Sequence, residues 1–204
     1  MLRGDREDAA DLARLAEAGP WDAVVDVCGY VPRTVAASVA ALASSASTYL
    51  FISSINAYPG WPAVPVDENS PRHEGRSDAG PDDGDYGTLK VGAELAVERG
   101  SRARADPPAG PDHRAARAHP AAELVAAARR RGRPDGRARR PDREMQLIDV
   151  RDIAVFGLDR IAAEGSGTYL VGGEPANTTW GDFLAACVEA SGGGRSRCGW
   201  ATTC

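Results

Sequence analysis

Lysine is almost missing from these 204 residues: Lys90 is the only one, although arginine is abundant. Aromatic residues are also scarce, at 6%, with three phenylalanines among them, so a core has to be built from alanine, valine and leucine. The net charge of −5 lacks the positive surplus that a general nucleic-acid binder needs. No apolar run is long enough to span a bilayer. Residues 1–20 are acidic and polar, the opposite of a signal peptide, so the expected setting is cytoplasmic, with neither nucleic acid nor membrane as partner. Cys28, Cys187, Cys198 and Cys204 lack metal-ligand spacing and read as reduced thiols. His73, His113 and His119 are scattered, so no metal site is assigned. Arginine in place of lysine, with abundant alanine, glycine and proline, marks a GC-rich coding sequence.

What is present reads as alternating strand and helix over the first hundred residues. Trp21-Asp-Ala-Val-Val-Asp-Val27 is a short run of β-branched apolar residues, as a buried parallel strand tends to be. Pro32 suits the first turn of a helix, and Val35, Val39 and Leu42 follow at helical spacing. Thr48–Ser53 is a second strand. Proline, glycine, aspartate and asparagine from Pro59 to Asp85 predict a long surface loop. A helix is expected from about Tyr86 to Glu98. Strand, helix, strand, loop, helix is half of a doubly wound α/β sheet, in which ligands bind beyond the carboxyl ends of the strands. Cys28-Gly29 ends the first strand, where a glycine lets a cofactor approach the backbone. Ser53-Ser54 ends the second, where simple turn chemistry is the competing account.

Tyr86 and Lys90 stand four apart, which on a helix places both on one face. A phenol can pass a proton to or from an alcohol or ketone when a neighbouring ammonium favours its ionised form. An exposed pair on an amphipathic helix is the plainer account, and the surroundings decide between them.

Together these segments resemble the extended short-chain dehydrogenase/reductase family, the NAD-dependent epimerase/dehydratase group. Gly4-Asp5 resembles the Gly-Asp after that family's third strand. Phe51-Ile-Ser-Ser-Ile-Asn-Ala-Tyr58 resembles its fifth-strand signature, and Val66-Asp-Glu-Asn-Ser-Pro71 the acidic segment that commonly follows. Gln146-Leu-Ile-Asp-Val-Arg-Asp-Ile-Ala154 and Gly167-Thr-Tyr-Leu-Val-Gly172 resemble later segments of the family. The resemblance implies Tyr86 as acid/base, Lys90 as its pKa-lowering partner and ribose ligand, and Ser54 as the hydroxyl that orients the substrate oxygen. It implies Asp5, Cys28 and Gly29 as further contacts to NAD or NADP. The implied activity is an epimerase, dehydratase or reductase reaction at a hydroxyl or keto group of a small substrate, such as a sugar nucleotide. Non-catalytic alternatives are a dinucleotide-binding sensor or pseudoenzyme, or the product of a decayed gene.

Three departures accompany the resemblance. The glycine-rich turn that cradles a pyrophosphate is missing, and Met1 falls where the family's third strand should end, so the reading is of a fragment expected to have little or no activity as it stands. Ser101–Arg140 is dominated by arginine, alanine, proline and glycine, and Leu124 and Val125 are its only larger aliphatics. No strand and little tertiary packing are expected there, whatever helix alanine propensity gives Ala121–Arg131, and the segment reads as disordered or out of frame. The codons that Ala105–Ala115 require, read one base later, permit Leu-Ile-Leu-Arg-Pro-Gly-Leu-Ile-Ile-Gly-Pro, the family's sixth-strand signature. The tail from Arg195 to Cys204, read two bases later, permits an apolar strand followed by acids. A frame disruption over about 100–140, and another after about 192, is therefore expected.

The fold expected is an incomplete doubly wound, Rossmann-like parallel sheet without its first strands, plus a small remnant of a substrate subdomain. The expected division is 1–100 for the partial dinucleotide-binding domain, 101–140 low-complexity, 141–192 the subdomain remnant and 193–204 an irregular tail.

Overall fold

The computed structural model describes residues 1–105, 122–126 and 141–190. The chain divides into two units, Met1–Arg129 with Val150–Val171, and Arg130–Asp149 with Gly172–Cys204.

In the first unit, helix α1 (Ala9–Glu17) leads to strand β1 (Trp21–Asp26), helix α2 (Pro32–Leu42) and strand β2 (Ala46–Ser54). A single 3-10 turn, Ile55–Ala57, follows β2, and helix α3 (Tyr86–Ala105) comes after the long loop. Strand β3 (Ala122–Ala126), helix α4 (Val150–Ala162) and strand β5 (Gly167–Val171) complete the unit. The four strands form one parallel sheet in the order β1-β2-β3-β5.

Side-chain alternation along β2 decides which helix packs on which face. Tyr49 and Phe51 meet α2 and α3 through Val35, Val39, Leu42, Ala93, Ala96 and Val97. Leu50 points the other way, where Gly157 of α4 lies so close that a Cβ would stand 3.1 Å from Leu50 Cδ2. Helices thus cover both faces, and β2, the longest of the described strands, is buried along most of its length.

β3 corrects the expectation for 101–140. Where no strand and little packing were expected, Ala122–Ala126 pairs in parallel with β2 on one side and β5 on the other. A central position in the sheet satisfies backbone donors and acceptors on both edges of a strand, which outweighs alanine's preference for helix. The strand also takes in Leu124 and Val125, the two larger aliphatics of the segment. The shifted-frame readings of residues 106–115 and 195–204 lie outside the described residues.

The loop from Pro59 to Asp85 is pinned at several points. The His73 amide donates to Ala57 O, the Arg33 amide to Ala79 O, and the Leu170 amide of β5 to Glu68 Oε1 at 2.9 Å. Trp61 and Val66 pack against Ile55, Tyr58 and Val91 in a second apolar cluster.

In the second unit, strand β4 (Glu144–Met145) runs antiparallel to strand β6 (Thr178–Thr179), which leads straight into helix α5 (Trp180–Ala190). The Asn177 side chain accepts from the Leu147 amide and donates to its carbonyl, a two-point clamp that stands in for a further ladder step. Among the described residues, no helix is long and apolar enough to cross a membrane.

Candidate active site

The helix that carries Tyr86 and Lys90 starts where a side chain can cap it. The Asp85 carboxylate accepts from the Thr88 amide at 2.9 Å, and that bond holds its pKa below the usual range. From Gly87 onward α3 slides under the loop and against the sheet. A Cβ on Gly87 would lie 2.3 Å from Asn56 O and 3.0 Å from the His73 ring. Only glycine allows that approach.

Lys90 is the centre of the site. Its side chain is 3% exposed, and its ammonium donates to Gly29 O at 2.9 Å and to Ile52 O at 2.8 Å. These carbonyls sit at the carboxyl ends of β1 and β2, so one side chain joins the two segments where a doubly wound sheet binds ligands. The ammonium lies 4.3 Å from the centroid of Phe51 and 5.7 Å from that of Tyr30. Burial lowers its pKa from 10.5 to about 8, against the opposing pull of Asp26 and Glu94. It therefore stays largely protonated at neutral pH. An ammonium has three protons, and two are committed to carbonyls.

Tyr86, one turn earlier on α3, is 43% exposed and lies with its ring centroid 6.5 Å from that of Tyr30. The structure therefore gathers Lys90, Gly29, Tyr30 and Tyr86 at one place. Gly29 also has a role the sequence did not suggest. A Cβ there would fall 2.5 Å from the Phe51 ring and 2.7 Å from Val35 Cγ2, so its bareness serves the core. Cys28 is exposed, and its thiol accepts from Arg6 Nη1 at 3.5 Å.

Ser54 is wholly buried, and its Oγ accepts from the Asn56 amide at 3.2 Å, capping the 3-10 turn. Among the described residues, its own hydroxyl proton has no acceptor. Its neighbour Ser53 donates instead to Glu94, a fully buried acid one further turn along the face that bears Tyr86 and Lys90. Burial pushes the Glu94 pKa up, partly offset by Ser53 and by Arg72, which bonds it at 2.7 Å. Arg72 also reaches Glu98 at 3.0 Å and so ties the long loop to α3.

Asp5 stands apart from this group. It is exposed in a turn where its amide donates to Asp11 at 2.7 Å and its carboxylate accepts from the Glu7 amide. The link to β1 is its neighbour Arg6, which grips the buried Asp26 through two bonds, at 2.8 and 2.9 Å, and also donates to Ser38. The Tyr49 hydroxyl donates to the same carboxylate at 2.8 Å. Burial would raise the Asp26 pKa, but the bonds and charge of Arg6 outweigh it and the net direction is down. Neither Arg6 nor Glu94 was among the residues singled out from the sequence. The available signal was a charged residue inside an otherwise apolar run: Asp26 in Ala23–Val27, and Glu94 in Val91–Val97.

A parallel sheet covered by helices on both faces, with polar side chains collected beyond its strand ends, is an architecture shared by nucleotide-binding enzymes of many chemistries. Comparison with solved structures narrows it to the fold of sugar-nucleotide epimerases. A proposed epimerase from Burkholderia cenocepacia J2315 matches 94% of this chain with a TM-score of 0.65 and 21% identity. The UDP-Glc/GlcNAc 4-epimerase from Campylobacter jejuni matches 93% with a TM-score of 0.65 and 16% identity. The UDP-N-acetylglucosamine 4-epimerase from Bacillus cereus matches 93% with a TM-score of 0.58 and 19% identity. At these identities the likeness is one of fold. The chain spans 65%, 68% and 69% of the lengths of those three proteins. No family profile matches the sequence, and no curated protein does.

Proposed function

We propose that the chain is the incomplete catalytic portion of a nicotinamide-dependent oxidoreductase of the epimerase, dehydratase or reductase kind. Its substrate would be a small molecule bearing a hydroxyl or keto group, a sugar nucleotide by analogy with the proteins that share its fold. The observation that carries this reading is Lys90, buried and held between the carbonyls of Gly29 and Ile52 on the helix that bears Tyr86.

The residues present fit one part of an NAD or NADP molecule. Lys90 retains a proton for a ribose hydroxyl, and Asp5, in its exposed turn, would take the adenosine end. No glycine-rich turn for the pyrophosphate occurs in the sequence, so these residues by themselves bind the dinucleotide weakly. When bound, a nicotinamide accepts and returns a hydride.

The chain's own part is proton handling. Tyr86, at the exposed start of α3, takes the proton of a substrate hydroxyl as the alcohol becomes a ketone, and returns it in the reverse step. Lys90, one turn further along the same helix, contributes positive charge to the site. Ser54 donates its hydroxyl proton to the substrate oxygen. Because Ser54 is sealed from solvent, this last role requires the turn at Ile55–Ala57 to yield when substrate enters.

The test combines dinucleotide titration with a turnover panel of UDP-sugars, for the parent, Tyr86→Phe and Lys90→Ala. Tyr86→Phe should lower turnover by at least about 100-fold, the usual contribution of a general acid or base, and leave binding unchanged. Lys90→Ala should damage both. Equal rates for Tyr86→Phe and parent would withdraw the catalytic assignment. If Ser54→Ala also leaves turnover untouched, the serine is only the cap of its turn.

A further inference from the structure

We propose that Tyr30 is a positioning residue of this site: its ring bridges the Lys90 ammonium and the Tyr86 ring and sets where both of them sit. The inference rests on the reading of Tyr86 and Lys90 as the proton-handling pair, and assigns a role to a third side chain that the pair's spacing does not disclose.

Tyr30 follows Gly29, whose carbonyl holds Lys90 at 2.9 Å, so the backbone on which Tyr30 is mounted is already tied to the ammonium. The ring then returns to the same cation, with its centroid 5.7 Å from Nζ, inside the distance at which a ring face attracts a cation. Phe51 lies on that cation too, at 4.3 Å, but Phe51 is a core residue packed among Val35, Ala93 and Val97. Tyr30 is not. It is 57% exposed and belongs to neither apolar cluster, so core packing does not account for where its ring rests. What it does touch is Tyr86, with centroids 6.5 Å apart and planes tilted by 40°, a spacing and tilt usual for interacting rings. A ring that touches the two functional groups and is largely outside the core is placed to restrict the rotamers of both. Without it, Tyr86 loses its lateral contact at the first turn of α3, and water reaches the ammonium and screens it from the phenol.

The bond is made by the ring face, so phenylalanine should replace Tyr30 and leucine should not. The single lysine makes this measurable in the full chain. Lysine labelled at Cε and Nζ gives one side-chain NMR signal, from Lys90. Tyrosine labelled at Cζ gives a Tyr86 signal, assigned by its loss in Tyr86→Phe. In Tyr30→Leu, the Lys90 methylene protons should lose the shielding of the Tyr30 ring and the Tyr86 signal should move. In Tyr30→Phe both should stay near their parent positions, and melting temperatures should agree across the series. Unmoved signals in Tyr30→Leu would overturn the inference, whatever the protein's activity. Signals that move equally in Tyr30→Phe would place the effect in the hydroxyl and overturn it as stated.

Turnover tests the consequence. Tyr30→Leu should lower kcat about 3- to 30-fold, the range of one cation–ring contact from exposed to desolvated, with KM nearly constant and with recovery in Tyr30→Phe. Shifted signals with parent-like kcat in Tyr30→Leu, in a protein that loses turnover in Tyr86→Phe, would end the positioning role and leave the proposed function standing. Turnover that survives Tyr86→Phe would end the proposed function instead.

Discussion

The most direct physical consequence of the buried ammonium is a pH dependence of stability that a single substitution can remove. Lys90 has a folded pKa of about 8 against 10.5 in the unfolded chain, because burial disfavours its charged form. Between those values the unfolded chain binds the proton more tightly, so stability rises with pH across the window from about 8 to 10.5. At about 1.4 kcal/mol per pH unit, the whole window corresponds to about 3 kcal/mol. Tyr49 opposes the gain at the upper end. Burial and the adjoining Asp26 raise the pKa of its phenol, so stability linked to the neutral phenol is lost above about pH 10. Urea unfolding should therefore be followed from pH 7 to 10, where Lys90 contributes about 2 kcal/mol of the rise. Lys90→Met, which keeps a long apolar stem and removes the titrating group, should flatten that part of the profile. With no second lysine to compensate, the difference between the two profiles isolates one group. Parallel profiles for parent and Lys90→Met would refute the placement of the ammonium in the interior.

Two further predictions concern residues outside the proton-handling pair. Arg6→Ala strands the buried Asp26 carboxylate and should destabilise the protein by about 3–5 kcal/mol in denaturant unfolding; Arg6→Ala with Asp26→Asn should recover a substantial share, which simple loss of arginine packing would not allow. Gly29→Ala drives a methyl into Phe51 and Val35 and should cost about 1–3 kcal/mol with no dinucleotide present, whereas a glycine kept bare only for a ligand would show no loss in that assay.

How far the sequence led depended on whether the deciding contact was local. α2 was legible because Pro32 fixes its first turn and Val35, Val39 and Leu42 recur at the helical period. β1 and β2 were legible as runs of β-branched and aromatic residues, and their parallel pairing followed from the helix between them. β3 was not legible. Ala-Glu-Leu-Val-Ala carries little strand preference, and its conformation comes from backbone partners on β2 and β5. At the site, the Tyr86–Lys90 spacing was visible because four residues on a helix is a local relation. The Arg6–Asp26 and Arg72–Glu94 pairs join residues about twenty apart, and nothing in either local segment specifies its partner. Gly29 was marked as a place for a cofactor to approach; the room it makes for Phe51 was not legible, since that ring arrives from the neighbouring strand.

The bond from the Leu170 amide to Glu68 gives the two margins of the sheet unlike characters. Among the described residues β5 is an outer strand, and an outer strand offers a row of amides on which a stray chain can grow. At Leu170 that row is blocked by a carboxylate delivered from the long loop, which adds a negative charge and takes the donor a newcomer would need. β1, the opposite outer strand, has no strand on its far side among the described residues, and its apolar Val25 is exposed. At Leu170, strand addition on the β5 margin is therefore disfavoured twice over, by the charge and by the loss of the donor.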